Sequence, residues 1–176
     1  SSTTCLEEYH ELAYELGRRI GENGHTLVYG GADVGTMKHL ADGAQSAGAR
    51  IIGVFPSGFS GTPDVAGKHL TRDNIDEFIT VGNFAERKMK MEELGDCCVV
   101  LPGSFVTLDE LFTQACSRSI GTHAKPICII NHKGFYEPLK ALLGNMERAG
   151  MLKPCTKGIL EFCDSLDELF SRLERL

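Results

Sequence analysis

Three short segments carry the side chains with chemical potential. The first is Leu101-Pro102-Gly103-Ser104-Phe105-Val106-Thr107-Leu108-Asp109-Glu110, where a glycine turn leads into a helical pattern. Free amides at a helix N-terminus attract anions. A carboxylate at Glu110, beside hydroxyls and such amides, can lie next to a bound phosphosugar. The same spacing, Thr107 to Glu110, also fits an S/T-x-x-E capping box, a purely structural device worth about 1 kcal/mol. Both readings stand on the residues alone. The second segment is Asn83-Phe84-Ala85-Glu86-Arg87-Lys88-Met89-Lys90-Met91. Here the Arg87 fork and Lys88 can pair with phosphate oxygens. Alternatively they form a solvated basic helix face, with Glu86 and Lys90 as an i,i+4 pair.

The third segment, Tyr29-Gly30-Gly31-Ala32-Asp33-Val34-Gly35-Thr36-Met37, joins a strand pattern to a helix pattern. Its three glycines permit positive φ and a close backbone approach to a ligand. Tight packing of helix on sheet would select them equally well. The spacing G-G-x-x-x-G is not the G-x-G-x-x-G dinucleotide fingerprint, and the next apolar run closes on Phe55-Pro56-Ser57 without the ribose-binding acid. Thr36, not lysine, follows Gly35, so a Walker loop is also excluded.

The elements that must position these segments follow from apolar patterning. Strand-length runs at Thr26–Tyr29, Ile51–Phe55, Phe78–Val81, Cys97–Leu101, Ile127–Ile130 and Ile159–Phe162 alternate with helix-period stretches. Strands apolar on both faces and separated by helices imply a doubly wound α/β fold, a Rossmann-like parallel sheet with helices on both sides. Leu6, Tyr9, Leu12, Ala13, Leu16 and Ile20 form a helical stripe, with Thr4 and Glu7 as a capping box at its start. Because such a helix should follow a strand, we expect one before Ser1, giving seven strands instead of six. No linker or repeat interrupts the pattern, so residues 1–176 read as one domain. Ser57 to Lys68 holds three glycines and one proline, which suits a mobile lid or plain surface.

Composition narrows the partners. The 176 residues are 42% apolar and 24% charged, values of a globular chain. Eighteen basic and 24 acidic side chains leave a net charge of −6, and no basic run could follow a nucleic-acid backbone. The apolar runs are far shorter than the ~20 residues of a membrane span. Seven cysteines, an odd number with no C-x-x-C, fit a reducing cytoplasm. The six histidines stand apart from them, against a structural metal site.

In combination the segments resemble the Lonely Guy family. Its order Y-G-G…G-x-M, R-K-x-x-M and P-G-G-x-G-T-x-x-E is matched by Tyr29, Gly30, Gly31, Gly35 and Met37, then Glu86, Arg87, Lys88 and Met91, then Pro102, Gly103, Thr107 and Glu110. Further matches are Ile52-Gly53-Val54-Phe55-Pro56, Gly121, His123, Lys125 and Pro126, and Asn131 followed by Gly134-Phe135-Tyr136-Glu137-Pro138-Leu139. Ser1-Ser2 resembles the end of the family's first strand and its G-S-S turn. The resemblance implies a phosphoribohydrolase, which splits the N-glycosidic bond of AMP-like or cytokinin riboside 5′-monophosphates into free base and ribose 5-phosphate.

It further implies Glu110 and Arg87 as catalytic residues. Gly30, Gly31, Gly35, Met37, Lys88, Gly103, Ser104, Phe105, Val106 and Thr107 would hold substrate and its phosphate. No metal or cofactor is implied, and a homodimer is. Ser104 and Val106 stand where the family has glycines, so a branched side chain enters the phosphate seat at a position expected to need positive φ. Ala32, Lys38, Ala85, Ser117 and Ser119 are further departures. The alternative is a non-catalytic nucleotide- or molybdenum-cofactor-binding protein of the same fold. Lysine decarboxylation, the family's older label, would need a pyridoxal-binding lysine that nothing suggests.

Overall fold

A computed structural model describes residues 4–57 and 75–175. These fall into two compact units, one up to Gly95 and the other from Asp96. The first contains α1 (Glu7–Glu22), β1 (Leu27–Tyr29), α2 (Gly35–Ser46), β2 (Ile51–Pro56), β3 (Glu77–Val81) and α3 (Phe84–Leu94). The second contains β4 (Cys98–Val100), α4 (Phe105–Ser119), β5 (Ile127–Ile130), α5 (Glu137–Arg148), β6 (Leu160–Cys163) and α6 (Leu166–Leu173). Among the described residues every strand pairing is parallel, in the orders β1-β2-β3 and β4-β5-β6. This is the α/β class expected, with all six strand runs present to within a residue or two. The expected seventh strand and the segment after Ser57 lie outside the described residues.

In the first unit the middle strand β2 buries nearly every residue, as a strand covered on both faces must. Its neighbour β3 departs from that expectation. Its Glu77, Phe78 and Thr80 are exposed, and among the described residues it pairs with β2 alone. Leu27, Tyr29, Ala41, Ala44 and Ile51 form the core, joined by Ile20, Met37 and Leu40. Helices α1 and α2 approach until backbone meets backbone. A Cβ built on Gly17 would lie 2.0 Å from the Leu40 carbonyl oxygen, and one on Gly43 1.9 Å from that of Tyr14. The glycines let this interface close where any larger residue would wedge it open.

The α1 start differs from expectation. Leu6 is the N-cap and makes no side-chain cap, so the Thr4–Glu7 box does not form. Glu7 is already the first helical residue, and its carboxylate meets His10 Nδ1 at 3.4 Å instead.

In the second unit β5 is buried at all four positions. Val100, Leu111, Ile127, Ile129 and Tyr136 form the core under α4 and α5. Among the described residues no helix is long and apolar enough to cross a membrane, and no group of three or more His, Cys, Asp or Glu is arranged to hold a metal ion.

Candidate active site

The first unit assembles Gly30, Gly31, Met37 and Arg87. Helix α3 is set by a reciprocal cap: Asn83 Oδ1 accepts the Glu86 N–H at 2.9 Å, while Glu86 accepts from the Gly82 N–H and Asn83 Nδ2, both at 2.8 Å. Glu86 is thereby committed, and Lys90 pairs with Glu93 at 2.9 Å, not with Glu86 as the basic-face reading had it. That reading fails for Arg87 too. One residue further round the helix, its side chain turns inward and is only 5% exposed. Its Nε donates to the Val54 carbonyl at 3.2 Å, and its guanidinium carbon stands 5.8 Å from the centre of the Phe84 ring.

The guanidinium rests against Gly30. A Cβ on Gly30 would meet Arg87 Nη2 at 1.9 Å and Met37 Sδ at 2.9 Å. As the arginine now lies, only glycine at 30 leaves it room, a reason that neither sequence reading gave. Gly31 turns the chain with φ +74°, and Gly35 opens α2 with φ +52°. Lys88, next to Arg87, is half-buried.

In the second unit β4 delivers the chain to Pro102 and Gly103, and α4 begins at Phe105 with extended Ser104 as its N-cap. The Ser104 side chain makes no cap hydrogen bond, while its carbonyl accepts the Leu108 N–H at 3.0 Å. Thr107 is thus the third helical residue, and the Thr107–Glu110 capping box is not made. Its threonine would have to stand outside the helix to cap it. Thr107 instead covers Gly103, where a Cβ would fall 2.1 Å from Thr107 Oγ1. Three residues apart, Thr107 and Glu110 share a face of α4 and both are half-buried. Phe105 is 89% and Val106 47% exposed. Among described non-glycine residues only Lys133 has positive φ, so Val106 meets no backbone conflict. What it adds is a side chain at the helix mouth.

The sequence reading assigned no role to Tyr136 and Asn131, which hold this loop from behind. The buried Tyr136 hydroxyl donates to the Leu101 carbonyl at 2.8 Å. Burial pushes the phenol up to about 12, with the Gly103 backbone opposing it. Asn131, at the end of β5 and 4% exposed, accepts the Tyr136 N–H at 2.8 Å. Its Nδ2 donates to Glu137 at 2.7 Å and Asp164 at 3.0 Å. The signal available was an asparagine after an apolar strand, five residues before a tyrosine.

Parallel α/β units with glycine turns at strand ends define a Rossmann-like class that binds ligands beyond the carboxyl ends of its strands. The chain belongs to the Lonely Guy family: residues 37–173 match the family model described as "Possible lysine decarboxylase". It is similar to the cytokinin riboside 5′-monophosphate phosphoribohydrolase of Rhodococcoides fascians, 34% identical over 91% of this chain and 78% of that one. It is similar also to the Mycobacterium tuberculosis protein of the same name, 34% identical over 92% and 83%. Among solved structures, the molybdenum cofactor binding protein of Rippkaea orientalis matches with a TM-score of 0.72 at 22% identity, covering 99% of this chain and 91% of that one. The molybdenum cofactor carrier protein of Chlamydomonas reinhardtii matches with a TM-score of 0.69 at 19% identity, covering 97% and 88%. At such identities these two establish the fold alone.

Proposed function

We propose that this protein hydrolyses the N-glycosidic bond of AMP-like or cytokinin riboside 5′-monophosphates, releasing free base and ribose 5-phosphate. Two relatives named for that reaction, each 34% identical over more than nine tenths of this chain, carry the reading. Arg87, Thr107 and Glu110 are all retained. As the bond breaks, positive charge grows on the anomeric carbon. Glu110 stabilises that charge and takes a proton from the attacking water, whose oxygen bonds to the anomeric carbon while the base leaves with the bonding pair. The proton held by Glu110 then passes through solvent to the departing base. The loop from Gly103 to Thr107 seats the 5′-phosphate, and Arg87 with Lys88 holds the substrate. Gly30, Gly31, Gly35 and Met37 shape the other turn. The reading requires no metal or cofactor. It takes the chain as one nucleotide-binding domain, acting as a cytoplasmic homodimer with no nucleic-acid or membrane partner.

Incubation of the pure protein with AMP tests this, by release of adenine and ribose 5-phosphate. Glu110→Gln should lower kcat by about 10²–10⁴-fold while nucleotide still binds. Full activity in that variant would remove the carboxylate from the mechanism. The second reading, a binding protein without turnover, is favoured by one observation: exposed Phe105 and Val106 at the first turn of α4. Protection against heat by AMP without adenine release would select it.

A further inference from the structure

The Leu101–Gly103 loop has few anchors of its own. Its N-cap serine makes no side-chain cap, and three successive residues, 104–106, are exposed. What holds it is a buried relay from the neighbouring strand. After β5 the chain makes a tight turn through Lys133 (φ 50°) and Gly134 (φ 76°). The Gly134 N–H donates to the Asn131 carbonyl at 3.0 Å, and the Tyr136 N–H to the Asn131 side chain. The phenol thus comes back under β4. Its ring packs among Val100, Leu111, Ile127 and Ile129, and its hydroxyl reaches the Leu101 carbonyl. A left-handed non-glycine backbone is uncommon and persists only where its surroundings hold it, as the buried Asn131 does here. One hydroxyl therefore fixes the carbonyl before Pro102.

We propose that Tyr136, oriented by Asn131, is the positioning residue for the phosphate-binding loop and sets affinity for the 5′-phosphate without touching substrate. This rests on the reading above that Gly103 to Thr107 seats that phosphate. A peptide released from its buried partner is free to rotate, and the amides beyond it lose the orientation needed to meet an anion together. The lost affinity should fall on the phosphate and spare the base and ribose.

Tyr136→Phe is the test, because it keeps the ring and removes only the hydroxyl. With the full chain, KM for AMP should rise about tenfold, the effect of one well-placed hydrogen bond. kcat should stay within about twofold of the parent value. The dissociation constant for ribose 5-phosphate should rise by the same factor as KM, while that for adenosine, which lacks phosphate, should not move. Unchanged KM and ribose 5-phosphate affinity would overturn the proposal, as would equal weakening of adenosine, the mark of a general structural fault. If the parent protein binds ribose 5-phosphate but releases no adenine, the hydrolase reading fails and the ribose 5-phosphate titration still decides the role of Tyr136. If the parent binds neither AMP nor ribose 5-phosphate, both readings fall together.

Discussion

Adjacent residues in α3 have opposite fates. Glu86 is spent on the helix cap, while Arg87 lies buried against Gly30. Gly30→Ala would place a methyl carbon 1.9 Å from Nη2 as it now stands, so the guanidinium must move or the backbone must. Overpacking of this kind costs about 1–3 kcal/mol, and urea unfolding of the variant should read a loss in that range together with reduced adenine release. Val106 presents the reverse case. Already helical and half-exposed, it gives up little when replaced by glycine, about 0.5 kcal/mol in helix propensity. Val106→Gly should therefore lower KM for AMP with a small drop in stability. An unchanged KM would mean that the valine stands clear of the phosphate.

Packing between elements turns on the same small residue used differently. In the middle of a helix, alanine normally stabilises by roughly 1 kcal/mol over glycine. At Gly17 and Gly43 it should destabilise instead, because the added carbon meets a carbonyl of the other helix at 2.0 and 1.9 Å. Thermal melts of Gly17→Ala and Gly43→Ala should both fall below the parent.

Helix ends supply a pH prediction. A hydrogen bond from Lys140, then one from Asn131, holds the Glu137 carboxyl below its usual range. Arg172, then the Asp164 amide, does the same for Glu168. A carboxylate depressed in the folded state adds stability above its unfolded value, about 4.3, and that contribution is lost as pH falls through the folded value. Urea midpoints should thus decline on acidification below about pH 5, and less steeply for Glu168→Gln. Glu137 is exposed and Glu168 half-buried, so salt should shrink the difference in part.

At the scale of the molecule, ligand linkage and assembly are the measurable quantities. AMP at a hundred times its dissociation constant should add about 2.7 kcal/mol, a rise of roughly 5–10 °C for a chain of this size. Sedimentation should give twice the 19.2 kDa of the single chain, and a lone 19.2 kDa species would refute the dimer. Much of the framework was legible because strands covered on both faces write continuous apolar runs, and Ile51–Pro56 and Ile127–Ile130 did so plainly. Helix starts were less so. The boxes expected at Thr4 and Thr107 are absent, while those made, Asn83 with Glu86 and Ser165 with Glu168, went unread. An S/T-x-x-E string does not say where the first turn begins, since that depends on the chain's exit from the preceding strand. The site was readable as residue types in order. Which charge turns inward, and which distant phenol braces a loop, are matters of packing that no local pattern encodes.

The contact of Arg87 on Gly30 carries a consequence for descent. A lineage that drifts to alanine at position 30 must first vacate that space, and one that shortens the arginine leaves a hollow that a methyl group can fill. Among related chains the two positions should change together or stay fixed together, with the glycine surviving wherever the arginine does.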